Sequence, residues 1–228
     1  MRIRPYKNPK LFNNMKLLFE NWRQYLNEGI HPKIQEQIND LPDWVHIGID
    51  VWGMHVSIFY TNKEGKSFAK SLGQVLMMQN HEQRYGNCLN GEEKQVFSIQ
   101  KTYAEKGLGP LLYEIAIEWA SANGKGLMPD RYIVSGDALG VWEKYTTRSN
   151  DDVKKDQLDI DKGISYFNPK GYDQLTPEDP NDDCHQKSAI ASKSEKWHES
   201  PLSKIYSKNN TEVMDYFQGM KRLKVTTS

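Results

Sequence analysis

Residues 99–122 read IQKTYAEKGLGPLLYEIAIEWASA, and the fold is decided there. The short apolar run Val96–Ile99 predicts a strand. Lys106-Gly107-Leu108-Gly109 is a polar turn. After it Leu112, Ile115, Ala116 and Trp119 recur at three- and four-residue steps, which gives a helix with one apolar face. Pro110 falls in the first helical turn, where its missing N–H costs nothing. A glycine turn feeding a helix leaves backbone N–H groups unpaired and pointing outward. The helix dipole adds partial positive charge at the same place, so it suits a phosphate. A tight strand–helix connection without any ligand would use the same residues.

The register of this stretch carries a resemblance. Ile99-x-x-x-Tyr103-x-x-Lys106-Gly107-Leu108-Gly109 resembles the acetyl-CoA signature of the GNAT N-acetyltransferases, V-x-P-x-Y-R-G-K-G-I-G followed by an apolar helix. Downstream, Ser135-x-x-Ala138-x-x-Val141-Trp142-Glu143-Lys144 is similar to the family's second motif, N-x-x-A-x-x-L-Y-E-K. The resemblance covers residues 95–148. It departs from the family at Ala104, where Arg or Gln is usual, and at Glu105, where Gly is usual. It departs again at Trp142, where many members carry a Tyr that acts as general acid.

What the resemblance implies is an acyl-CoA N-acyltransferase fold that moves an acetyl group from acetyl-CoA to an amine of a small molecule or protein. It implies cofactor contacts from Ile99, Gln100, Lys106, Gly107, Leu108, Gly109, Leu111 and Trp142. Ile99 or Gln100 is the candidate backbone donor to the thioester carbonyl. An indole cannot supply a proton as a phenol does. Tyr145, nearly one helical turn after Trp142, is the candidate replacement, or else a core aromatic. Ser135 is a candidate hydrogen-bond donor in the site, or else the N-cap of the helix that follows. No residue stands out as a general base.

The chain has 228 residues, enough for one domain with a sizeable core and extensions. Its mean hydropathy of −0.77 implies long solvated segments. Thirty basic and thirty acidic residues cancel. Zero net charge and the lack of a basic-aromatic stripe argue against nucleic acid as a partner. No apolar run reaches the ~18 residues of a membrane span. Cys88 and Cys184 are too few and too isolated for a disulfide framework, which fits a reducing compartment.

Residues 1–28 are expected to be a basic tail and an amphipathic leader, with 29–228 a single domain. Residues 15–28, MKLLFENWRQYLNE, carry a helical stripe of Leu18, Trp22 and Tyr25 with Leu26. They resemble the leaders on proteins of large tailed phages, and Leu26-Asn27-Glu28 looks like the site such phages' prohead protease cuts. That resemblance implies a host cytoplasm or a phage virion as location, and phage head proteins as partners. An ordinary helix docking on the domain is the other reading.

The fold expected is α/β (α+β), a mostly antiparallel mixed sheet flanked by helices. Ile34, Ile38 and Leu41 mark a short helix that Pro42 stops. Trp44–Asp50 and Met54–Tyr60 read as a hairpin, and Ser67–Leu72 with Gln74–Met78 as a third strand bulged near Gly73. Asn123-Gly124-Lys125-Gly126 is a helix stop and Arg131–Val134 a strand parallel to Val96–Ile99. Asp137–Arg148 reads as a helix and Asn150–Gln157 as a charged turn region. Gly163–Phe167 is a candidate strand, and about 168–189 an irregular acidic excursion. Asp179, Asp182, Asp183, Cys184 and His185 lie in it without a second half-site for zinc. Ser200-Pro201-Leu202 starts a helix, Val213–Met220 is another, and Leu223–Val225 is an edge strand. Two functions fit this pattern: the enzyme, or a catalytically inactive GNAT-fold structural or internal head protein.

Overall fold

The computed structural model describes residues 29–65, 72–79, 96–130, 134–157 and 199–228. The leader, residues 67–71 of the expected third strand, the candidate strand at Gly163–Phe167 and the acidic excursion lie outside them. The described chain is an α+β fold with one eight-stranded mixed sheet and four α-helices.

Helix α1 is Pro32–Asp40. His31 caps it by accepting the Lys33 N–H, Pro32 sits in its first turn, and Ile34 and Ile38 face the core. Strands β1 (His46–Trp52) and β2 (His55–Thr61) form a hairpin around Gly53 and Met54. Strand β3 is Gly73–Gln79 and β4 is Val96–Ala104. Helix α2 (Gly109–Asn123) leads to β5 (Gly126–Met128), and α3 (Gly136–Thr147) to β6 (Lys154–Gln157). A 3₁₀ turn at Pro201–Ser203 precedes β7 (Lys204–Ser207). Helix α4 (Glu212–Gly219) and strand β8 (Leu223–Thr227) end the chain.

The sheet order is β6-β7-β5-β4-β3-β2-β1-β8. Pairings are antiparallel except β4 with β5 and β1 with β8. The parallel β4–β5 pair is joined by α2, as a parallel connection requires. Helix α2 is the centre of the fold. It packs on β2, β3, β4, β5 and β7 and also touches α1 and α4. Its apolar residues Leu111, Leu112, Ile115, Ala116 and Ile117 are fully buried.

Four sequence expectations are corrected. The strand parallel to β4 is Gly126–Met128, not Arg131–Val134. Val134 is in no strand, and residues 131–133 lie outside the described set. Helix α2 does end at Asn123, but the turn-like composition after it hid the strand. Gly126 has φ +128°, and a Cβ there would stand 2.5 Å from the Tyr206 carbonyl oxygen, so a glycine lets β7 close on β5. The charged run Asn150–Gln157 contains β6, a sheet edge where polar side chains are tolerated. After Ser200-Pro201-Leu202 the chain makes one 3₁₀ turn and then β7, because Ile205 and Tyr206 pair against β6 and β5. The bulge lies across from Leu76 and Met77, where Lys101 and Ile99 are partners and Gln100 is the extra residue on β4.

Candidate active site: the cleft at the start of helix α2

Between β4 and α2 the chain makes one tight turn. The Leu108 N–H donates to the Glu105 carbonyl at 3.0 Å, and Gly107 at the third position has φ +91°. Those are the marks of a type II turn, which needs a glycine there. Two side chains pin the turn from behind. Gln37 Nε2 donates to the Gly107 carbonyl at 2.6 Å, and the Tyr60 hydroxyl donates to the Leu108 carbonyl at 2.8 Å. A trans peptide points its C=O and N–H opposite ways. Pinning the Leu108 carbonyl to buried Tyr60 therefore turns the Gly109 N–H outward. The Gly109 and Leu111 N–H groups have no partner inside the helix, as in any first turn, and Pro110 has none to offer. The Leu108 N–H is used by the turn itself, so Leu108 is not one of the donors.

These groups open on a cleft of about 640 Å³. Thr102, Tyr103 and Ala104 of β4 form one wall. Gly107, Gly109, Pro110 and Tyr113 form the floor, and Ser135, Asp137, Ala138 and Val141 the far wall. The cleft exists because β4 outruns its neighbour. The β4–β5 ladder ends at Ser98↔Met128, and β4 continues to Ala104. Ile99 and the bulged Gln100 are the first residues past that ladder; Ile99 is buried, and Gln100 is exposed with its amide on Ser98 Oγ at 3.0 Å. Tyr113 is buried, and its hydroxyl donates to Thr102 Oγ1 at 3.2 Å. Burial raises its pKa and the Asp130 carboxylate adds to that, against the Thr102 bond, so the phenol stays protonated. Lys106, Glu105 and Asp137 are exposed at the mouth.

The residues singled out from the sequence therefore separate. Lys106, Gly107, Gly109 and Ser135 line the cleft. Ser135 is there as the N-cap of α3, accepting the Ala138 N–H at 3.2 Å. Leu111 is fully buried and can offer only its N–H. Trp142 is not in the cleft. It is buried behind Tyr113, with ring centroids 5.3 Å apart, and stacks on Tyr206 at 4.9 Å. Tyr145 is not there either. Its hydroxyl donates to Glu114 Oε2 at 2.7 Å inside the protein, and burial pushes its pKa far above the ordinary value.

Glu114 is the centre of a buried ionic cluster that the sequence reading missed. Arg148 donates to it through Nη1 at 2.5 Å and Nη2 at 3.1 Å, and Lys208 Nζ at 2.7 Å. Lys208 also donates to Glu118 Oε1 at 2.9 Å. Glu118 in turn accepts the N–H groups of Val213 and Met214, capping α4 from α2. Burial would raise both carboxyls. The Arg148 bonds and the Lys208 charge outweigh it at Glu114, held at about 2, whereas at Glu118 burial wins and pushes it up to about 7. The available signal was two glutamates four apart on an otherwise apolar helix. Tyr113 was missed for the opposite reason: as an aromatic beside the apolar stripe it looked like core.

Among the described residues no three His, Cys, Asp or Glu side chains are placed to hold a metal ion, and no helix is long and apolar enough to cross a membrane. The acidic cluster at 179–185 lies outside those residues. No family model, no curated protein and no solved structure matches the chain.

Proposed function

We propose that the chain is a GNAT-like acyltransferase that binds acetyl-CoA in the cleft at the start of α2 and transfers the acetyl group to an amine. The observation that carries the reading is the cradle and the open strand side by side. The Gly109 N–H is turned outward on the floor of the cleft, and the stretch of β4 past Ser98, paired with β3 on one side and no longer with β5 on the other, forms its wall at Thr102, Tyr103 and Ala104. A diphosphate at the first and a thioester arm along the second is how such a molecule fits. The strand order, with a helical crossover between parallel β4 and β5, and the bulge at Gln100 support the same reading.

In the transfer, the amine nitrogen bonds to the thioester carbon, the C–S bond breaks, and the thiolate takes a proton while the amine loses one. The charge on the carbonyl oxygen needs a fixed donor, and the backbone at Ile99 or Gln100 lies where β4 leaves β5. Tyr113 replaces Tyr145 as the candidate proton donor, because it is the buried phenol of the two that line the cleft, Tyr103 being exposed.

The second reading keeps the fold and drops the chemistry: a structural or internal head protein of a phage particle. The burial of Trp142 and Tyr145 favours it, since neither can serve the thioester. So does Glu105, a carboxylate at the mouth of a site for anions.

Titration calorimetry with acetyl-CoA separates the readings. A Cβ at Gly109 meets only the Ala104 Cβ at 3.6 Å, so Gly109→Asp fits the fold while placing a carboxylate on the cradle. Losing one charge-assisted bond to phosphate, about 1.5–3 kcal/mol, weakens binding at least tenfold. Ala104→Arg with Glu105→Gly should tighten it. Binding by the wild type with no transfer to any of a panel of amines favours the structural protein. No binding by the wild type or the tightened variant refutes the phosphate cradle.

A further inference from the structure

The two edges of the sheet are built differently. At one edge β6 reads Lys154-Lys155-Asp156-Gln157, and charge of this kind keeps an edge strand from pairing again. At the other edge β8 reads Leu223-Lys224-Val225-Thr226-Thr227. It is mostly β-branched, holds no proline, and runs beside β1 without a bulge. Its lysine does not guard the edge. A Cβ on Gly65 would stand 2.8 Å from Lys224 Nζ, so that ammonium lies back over the sheet, at the loop after β2.

The hydrogen bonds to β1 show which backbone groups of β8 remain free. The Ile47 N–H donates to the Arg222 carbonyl at 2.8 Å, and the Ser228 N–H donates to the Val51 carbonyl at 3.0 Å. Successive residues of a strand turn their backbone groups to alternate sides. The even-numbered residues therefore spend theirs on β1, and Leu223, Val225 and Thr227 turn an N–H and a C=O outward. Among the described residues nothing pairs with these groups. Val225 is 46% exposed, on the face it shares with its register partner Ile49. Trp52 and Met54, at the adjoining β1–β2 turn, are exposed as well.

We infer that β8 pairs antiparallel with β8 of a second copy of this chain, about a two-fold axis at Val225. The sequence of the strand fits itself in that register. Val225 meets the partner's Val225, Leu223 meets the partner's Thr227, and Lys224 meets the partner's Thr226, so no charge faces a like charge. Leu223, Val225 and Thr227, which turn their backbone groups outward, are the residues that this register places in hydrogen-bonded pairs. Each then exchanges both bonds with its counterpart. The two exposed valines come together on one face. The contact is isologous and closes on itself, and the joined sheet ends at both sides in the charged strand β6. The pairing is independent of what the cleft binds.

The test is sedimentation of the full chain at about 100 µM, where a contact of micromolar Kd is populated. The wild type should sediment as two chains of 26.4 kDa. Val225→Lys and Val225→Glu each set a charge against its own copy and should weaken the dimer at least about tenfold. Mixing the two variants sets lysine against glutamate and should restore it, while circular dichroism checks that each is folded. Hydrogen exchange on the wild type gives a readout that needs no variant. The Leu223, Val225 and Thr227 amides, free in a single copy, should exchange at least about tenfold more slowly than unpaired amides. A monomeric wild type, which leaves the edge to another segment or another protein, overturns the inference. So does a dimer that both charged variants retain, a dimer that mixing does not restore, or fast exchange at these amides in a dimeric wild type.

Discussion

Lys208 should be the side chain on which the fold's stability depends most steeply. Its ammonium is fully buried and donates to Glu114 at 2.7 Å and to Glu118 at 2.9 Å. Lys208→Met keeps the volume of the stem and removes both bonds. Each hydrogen bond to a charged group contributes about 1.5–3 kcal/mol, and breaking a buried ion pair costs about 3–5 kcal/mol. We expect a loss of about 3–5 kcal/mol at pH 8. Glu114 keeps Arg148 and Tyr145, but Glu118 keeps only the Val213 and Met214 N–H groups. The damage therefore falls on Glu118, whose pKa is already about 7 with the lysine in place, above its ordinary 4.5. A carboxyl raised in the folded state takes up a proton there first, so its penalty is absent below pH 4.5 and grows as pH rises to about 7. Glu114 has the opposite sign: its contribution is complete above pH 4.5 and is lost as pH falls toward about 2. At pH 5 Glu118 is thus largely neutral and Glu114 still ionised, so the loss from Lys208→Met should be clearly smaller than at pH 8. Urea unfolding followed by circular dichroism at both values measures it. A loss below about 1 kcal/mol at pH 8, the level of an exposed pair, refutes the reasoning, as does an equal loss at pH 5.

Tyr145→Phe should cost about 1.5–3 kcal/mol of stability, read from the same unfolding curves, and leave the affinity for acetyl-CoA unchanged. A tenfold loss of affinity at unchanged stability would return Tyr145 to the site. Gly107→Ala should destabilise by about 1–2 kcal/mol through its left-handed backbone alone, because a Cβ there meets nothing within 4 Å. Gly107→Asn should lose less, since asparagine tolerates that conformation; equal losses in thermal melts would count against the turn as described.

The sequence made the local frame readable and left the long-range partners hidden. The step from β4 through the glycine turn into α2 was legible because each part has its own chemical mark: an apolar run, a positive-φ glycine and a 3.6-residue period. The β1–β2 hairpin was legible for the same reason. Strand β5 was not, because a three-residue strand beginning at a glycine looks like a turn until its neighbours β4 and β7 are in place. Strand β6 reads as charged loop because an edge need not be apolar on both faces. At the start of α2 the glycine turn and the free helix end could be read from the sequence, and the placement of the side chains around them could not. Period alone puts Trp142 and Tyr145 on one face of α3, but the partners that take that face, Tyr113, Glu114 and Tyr206, come from other elements.

Helix α2 joins these two halves of the problem. Its N-terminus is useful for anions only if the turn before it is held still, and the buried cluster on the same helix is what fixes the surroundings. Glu114 ties α2 to Arg148 at the end of α3, and Glu118 ties it to Lys208 and to the first turn of α4. Gln37 and Tyr60 then clamp the turn from α1 and β2. Apolar packing alone would bury α2 as well and at less electrostatic risk, but it lets a helix slide and rotate by small steps. Directed bonds to buried charges do not, because each has one geometry in which every lone pair and proton is satisfied. The ionic cluster under the helix and the turn at its tip are therefore held by one set of directed bonds, and a substitution such as Lys208→Met should loosen the cleft even though Lys208 does not line it.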